Sequence, residues 1–127
     1  MITTGDIADI LIEDLKPYGF SAFKSGALPL GELFDEMVIV VPKRGTPGKF
    51  WTKSFSEINV CVPDISGMAD TRRLTEIERT LSDMRKVGEY DGTTYRYSVY
   101  STGQENGRDG KYHFVNIRLL FEILNTI

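Results

Sequence analysis

The chain has 127 residues, with 15 basic side chains against 18 acidic ones and a net charge of −3. At 41% hydrophobic and 26% charged it holds enough apolar material for one core, and too much for a disordered chain. Its acidic balance sets it apart from a generic nucleic-acid binder, which presents a basic face. The single cysteine, Cys61, allows no intramolecular disulfide and no CxxC zinc or redox motif. The longest strongly apolar run, Met37–Val41, is far shorter than the roughly 20 residues that span a bilayer. The N-terminal stretch has no basic region and its apolar residues are interrupted by acids, so it reads as neither signal nor transit peptide. The expectation is one soluble, intracellular domain covering 1–127.

In chain order, Ile7, Ile10, Leu11 and Leu15 recur at helical spacing and predict a helix from Thr4 to Lys16. Thr3 or Thr4 caps it, Asp6 and Asp9 suit the positive end of its dipole, and Pro17 and Gly19 stop it. Phe20–Lys24 is a short strand candidate. Glu36–Val41 is β-branched, ends at Pro42, and reads as a strand buried on both faces. Phe50–Val62 alternates, with Ile58, Val60 and Val62 on one side and Glu57, Asn59 and Cys61 on the other. The Pro/Gly-punctuated segment between these two strands makes them a long hairpin with an extended tip.

A second helix is predicted from about Ala69 to Val87, on the stripe Leu74, Ile77, Leu81 and Met84, with Gly88 closing it. Arg72–Glu76 and Arg79–Asp83 are spaced as surface ion pairs. The stripe is too short for a coiled-coil seam and suits packing on the domain's own sheet. Thr93–Tyr100 is the next strand, followed by a polar loop, TGQENGRDG. The last strand starts at Tyr112, with His113, Val115, Ile117, Leu119, Phe121 and Ile123 on one face; Leu119–Leu124 reads as strand in preference to helix. The resulting order is α-β-β-β-α-β-β. That is an α+β domain whose mainly antiparallel sheet of four to five strands carries two packed helices.

Chemistry-bearing patterns are few. His113, the only histidine, begins an apolar strand face and reads as structural; Cys61 has no base nearby and reads as an inert core or subunit-contact thiol. Pro63-Asp64 with Asp109-Gly110-Lys111 superficially matches a PD…(D/E)xK metal nuclease. That chemistry needs Asp64, Asp109 and Lys111 on adjacent strands, whereas a helix and a strand separate them in the chain. No nucleotide-binding or hydrolase motif is present, and the residues lead us to expect no catalytic group, no bound metal and no cofactor. The most informative stretch is the hairpin tip. Residues 42–53 carry Lys43, Arg44, Lys49 and Lys53, no acid, and the only tryptophan, Trp51. Removing those four charges leaves the rest of the chain at −7, so the tip is a basic, aromatic-bearing arm on an acidic body. Such polarity suits head-to-tail self-association, with a solvated mobile loop or a local nucleic-acid contact as the other readings.

Five stretches, taken in order, resemble the tail terminator (tail completion) proteins of long-tailed phages and prophages. These are the acidic N-terminal TTGDIADILIEDLKPYG, the strand EMVIVV, the phrase SEINVCVPD, the helix built on RRLTEIE, and the closing strand KYHFVNIRLLFEIL. Phe20–Phe34 departs from the family pattern, where relatives often carry a clearer strand and an Arg-Pro element. The resemblance implies a structural protein with no catalytic residue. It would form a homo-oligomeric ring, usually hexameric, that caps the finished tail tube and offers a surface to the head–tail connector. Its partners would be further copies, the tail-tube protein and the connector, without a membrane, and its place would be the virion tail, assembled in the bacterial cytoplasm. A head–tail connector or another minor tail protein is the alternative. Only the NVCVPD strand and its hairpin partner carry over residue by residue; Lys43, Arg44, Lys49, Trp51 and Lys53 are assigned to oligomer or partner contacts from charge and position.

Overall fold

The computed structural model describes residues 1–25, 35–107 and 111–126. Helix α1 spans Thr4–Leu15. The Thr3 hydroxyl accepts from the Asp6 N–H at 3.1 Å, and the Asp6 carboxylate accepts from the Thr3 N–H at 2.8 Å, so each satisfies a donor that the helix end would leave free. Hydrogen bonding from the Thr3 N–H, and then from the Thr3 side chain, holds the Asp6 carboxyl below the usual carboxylate range. Ile7, Ala8, Ile10, Leu11 and Leu15 are buried. A 3-10 turn at Lys16–Tyr18 follows, ending on Gly19 at φ 88°.

Strands β1 (Ala22–Lys24) and β2 (Met37–Val41) pair in parallel. Strand β4 (Trp51–Pro63) runs antiparallel to β2 and also takes up the two-residue strand β3 (Thr46–Pro47). Helix α2 covers Thr71–Leu81, after which β5 (Arg85–Tyr90), β6 (Thr93–Asn106) and β7 (Tyr112–Leu124) complete the chain. The spatial order is β1-β2-β4-β7-β6-β5, with β3 beside β4. About half of the chain is strand, and the sheet curls into a mixed half-barrel.

This architecture corrects the expected one. The sheet is mixed and has seven strands, where a mainly antiparallel sheet of four to five was expected, and the element order differs. One added strand, β5, begins inside the predicted second helix, at Arg85, and runs past its expected end to Tyr90. That helix ends at Leu81 and is followed by a turn at Ser82–Asp83, so Met84 continues the buried stripe without being helical. Gly88 consequently sits within β5, where a Cβ would come within 2.6 Å of the Tyr95 hydroxyl; its role is to let that ring pass. Much of the predicted polar loop is strand as well. A bulge between Val99 and Ser101 restores register, and β6 continues along β7 as far as Asn106. The Leu119–Leu124 segment is strand, and β2 is buried on one face and half-buried on the other.

Both helices pack on the inner face of the sheet, against Val38, Val40, Ile58, Val60, Tyr97, Val115, Ile117, Leu119 and Phe121, in one core. Helix α2 is tied at both ends of its exposed side. Arg73 forks onto Glu36 before β2 and also meets Glu76 at 2.8 Å, while Gln104 of β6 donates to Thr75 and Glu78 at 3.2 Å. Arg73 thus makes the helix's ion pairs, in place of the Arg72 and Arg79 pairs expected from spacing. Helix α1 reaches opposite edges of the sheet. Asp9 pairs with Lys24 of β1 at 2.7 Å, and Asp14 accepts from Tyr97 of β6 at 2.7 Å and Lys86 of β5 at 2.9 Å. The helix therefore fills the trough of the half-barrel and links its rims.

Three outcomes follow for stability. Leu11→Ala removes a fully buried side chain from the trough and is expected to lower unfolding free energy by about 3 kcal/mol in urea titration. Val87→Ala, at a position 75% exposed on β5, should change it by less than about 0.5 kcal/mol. The third outcome concerns pH. The Asp14 hydrogen bond raises the Lys86 ammonium pKa, and burial followed by the Asp14 bond raises the Tyr97 phenol. The folded chain then keeps protons that the unfolded chain has released. The contribution of these two groups is fully present below about pH 10 and is lost above it. Urea midpoints at about pH 8 and pH 11 read this directly; equal midpoints contradict it, and Tyr97→Phe should shrink the difference.

Candidate functional site

The site begins where β2 stops. Pro42 has no N–H to donate, and the chain leaves the ladder there. The next residue is caught by two serines of β4. The Lys43 N–H donates to Ser56 Oγ at 3.1 Å, Ser54 Oγ donates to the Lys43 carbonyl at 2.8 Å, and the two hydroxyls lie 2.8 Å apart. Both serines are buried, at 1% and 0% exposure, while Phe55 between them faces out at 36%. Here the usual alternation is inverted, with small polar groups inside and an aromatic outside. Burying the serines is tolerable because every hydroxyl has a partner.

The chain then returns as β3 and turns at Gly48, whose N–H donates to the Trp51 carbonyl at 2.9 Å. A Cβ at Gly48 would meet that carbonyl oxygen at 2.7 Å, so the turn requires glycine. Asn125 clamps the tip from the other end of the chain. Its N–H donates to the Phe50 carbonyl at 2.8 Å, its amide nitrogen donates to the Gly48 carbonyl at 2.9 Å, and its amide oxygen accepts from the Thr52 hydroxyl at 2.7 Å. The tip is thus a bonded structure, which argues against the mobile-loop reading.

Between this folded-back tip and the outer face of the sheet lies a groove of about 810 Å³. Lys43, Arg44, Lys53 and Arg118 line it with Phe55, Glu57 and the Thr46–Gly48 segment, so four cations face one carboxylate. Lys43 lies 3.8 Å from Glu57. Arg44 and Lys53 are exposed and have no ion-pair partner among the described residues. The Arg118 guanidinium sits 4.8 Å from the Phe55 centroid and 5.8 Å from Tyr100, and those two rings meet edge to face at 5.0 Å. Further along the same face, Arg96 lies 3.8 Å over Trp51 and donates to Glu122 at 3.1 Å. Each arginine is held over an aromatic face, which orders both groups before any partner arrives.

The five residues picked from the sequence therefore divide. Lys43, Arg44 and Lys53 converge on the groove, Lys49 lies over Phe50 at 5.3 Å, and Trp51 turns toward β6 under Arg96. Arg118, Phe55, Tyr100 and Arg96 were not among them. Arg118 was visible as an outward position of β7, and Phe55 as the wrong residue type between two inward serines. Tyr100 was visible too, because alternation along β6 puts it on the outward side with Arg96 and Ser98.

The residues considered for metal chemistry lie elsewhere. Asp64 is paired with His113 Nδ1 at 2.7 Å with its side chain 6% exposed, its N–H donates to the Lys111 carbonyl at 3.0 Å, and Asp109 lies outside the described residues. No group of three or more His, Cys, Asp or Glu side chains is placed to hold a metal ion among the described residues. Cys61 is buried, and burial pushes its thiol up to about 11, which suits an unreactive side chain. No protein-family model matches the chain, and no curated protein matches it.

Asn125→Ala should loosen the tip at a cost of about 1–2 kcal/mol. Limited trypsin digestion should then cut after Lys49 at least about tenfold faster than in the parent chain, if the lost bonds supply that energy. An unchanged cutting rate would show that Asn125 does not hold the tip.

Proposed function

We propose that this chain is a structural subunit of a long-tailed phage or prophage, self-associating into a ring that ends the tail tube and presents a docking surface to the head–tail connector. The observation that carries this reading is the outer face of the sheet. A groove with net charge +3 lies on a chain whose total is −3, which leaves −6 elsewhere. Beside the groove, Phe55 and Tyr100 are exposed and Trp51 is half-buried, each with an arginine against it. Arginine and aromatic side chains are the residues enriched at the centres of protein–protein interfaces. Separation of opposite charge onto different surfaces of one chain favours heterologous contacts, the kind that build rings. The choice of particle and partners is supported by the resemblance of five sequence stretches to tail terminator proteins.

The test is tube capping. Tail-tube protein polymerised with this chain should give shorter tubes with added density at one end in negative-stain electron microscopy. Raising salt from about 0.1 M to 1 M should weaken capping, because the Debye length falls from about 10 Å to 3 Å. Tubes of unchanged length, with the chain monomeric in the supernatant, would overturn the reading.

A further inference from the structure

The turn between β5 and β6 is built from Asp91 and Gly92, at φ 48° and 78°, with Tyr90 and Thr93 paired across it. Two positive φ values make the tight two-residue hairpin that follows strand twist, so the tip is rigid. Glu89 and Asp91 are exposed there, and neither enters an ion pair among the described residues. Asp6, Asp9 and Asp91 together raise the pKa of the Tyr90 phenol, a sign of negative potential around the turn.

Strand register places this turn relative to the groove. Tyr95 pairs with Ile123, which pairs with Thr52, and Thr52 pairs with Pro47 of the tip. The acidic turn and the basic groove therefore lie at the same end of the sheet. They occupy opposite flanks, with the groove at β3 and β4 and the turn beyond β7 at β5 and β6. A rotation about an axis running along the strands moves one flank onto the other without changing level, which is the geometry of a closed ring.

We propose that the groove is the socket for the β5–β6 turn of a second copy of this chain, with Glu89 and Asp91 of one copy meeting Arg44 and Lys53 of the next. This rests on the ring reading above and names its lateral contact. Arg118 flanks the socket, held in place by Phe55 and Tyr100. A second copy fits better than a nucleic acid. The groove is short, Glu57 lies within it and Glu122 beside it, and a long polyanion would run onto an acidic remainder.

The experiment is a charge exchange read by native mass spectrometry and sedimentation, with circular dichroism confirming the fold of each variant. Arg44→Glu with Lys53→Glu, and separately Glu89→Lys with Asp91→Asn, should each weaken self-association by about tenfold or more. The chain carrying all four substitutions should recover association, which a folding defect would not do. If the parent chain assembles and neither pair of substitutions changes its assembly, or the fourfold chain fails to recover, the socket is overturned and the ring reading stands. A parent chain that remains monomeric at every concentration overturns both. Binding of a labelled single-stranded oligonucleotide at about 0.15 M salt, lost on Arg44→Glu with Lys53→Glu, would assign the groove to nucleic acid and likewise overturn the proposal.

Discussion

The structure depends on one short helix that touches opposite rims of a curled sheet. Helix α1 fills the trough with Ile7, Ala8, Ile10, Leu11 and Leu15, and its acidic side reaches Lys24 on one edge and Lys86 and Tyr97 on the other. Apolar burial supplies most of the stabilising free energy, as it does in most small domains. The carboxylates do something different: they fix how far the rims stand apart. Asp14 is the central member, because it accepts two hydrogen bonds from two strands while its side chain is only 14% exposed. With the inner face committed to α1 and α2, the outer face is the side of the sheet available for function.

What that face becomes is decided by β4. Its lower half, Ile58, Val60 and Val62, obeys the alternation of a half-buried strand. Its upper half inverts it, with Ser54 and Ser56 inward and Phe55 outward. The two hydroxyls satisfy the N–H and carbonyl of Lys43 where the ladder ends after β2, and they fold the basic segment over the sheet rather than into solvent. One local departure from the binary pattern thus shapes the groove, anchors the backbone of Lys43 and exposes the aromatic wall. Departures of this kind are where function is expected to override packing.

The contrast shows which physical signals a sequence carries. The capped amphipathic helix, β2, β4 and β7 were legible because each has a strong period or a capping residue, and the basic tip was legible as a run of charge. Strand β5 was not. Its residues, RKVGEY, show no apolar alternation, because its inward positions are held by Lys86 reaching Asp14 and by Gly88 making room for Tyr95. Met84 then extended the helical spacing past the true end of α2. The outer half of β6 was hidden similarly: Thr102 and Gln104 face inward but bond to α2, so polar residues sit where apolar ones would have marked a strand. In the site, Lys43, Arg44 and Lys53 could be named from charge, whereas their convergence with Arg118 depends on register across β4 and β7. Long-range register is set by the whole sheet and leaves no local mark.

The central claim is that this chain is one part of a closed assembly. Sedimentation velocity of the purified full chain, from micromolar to near-millimolar concentration at low salt, tests it most directly. The account predicts exchange between monomer and a single larger species of fixed size, without intermediates that grow with concentration, because a heterologous contact at constant level closes on itself. A single monomeric boundary at every concentration, or open-ended growth without a limiting size, would contradict it.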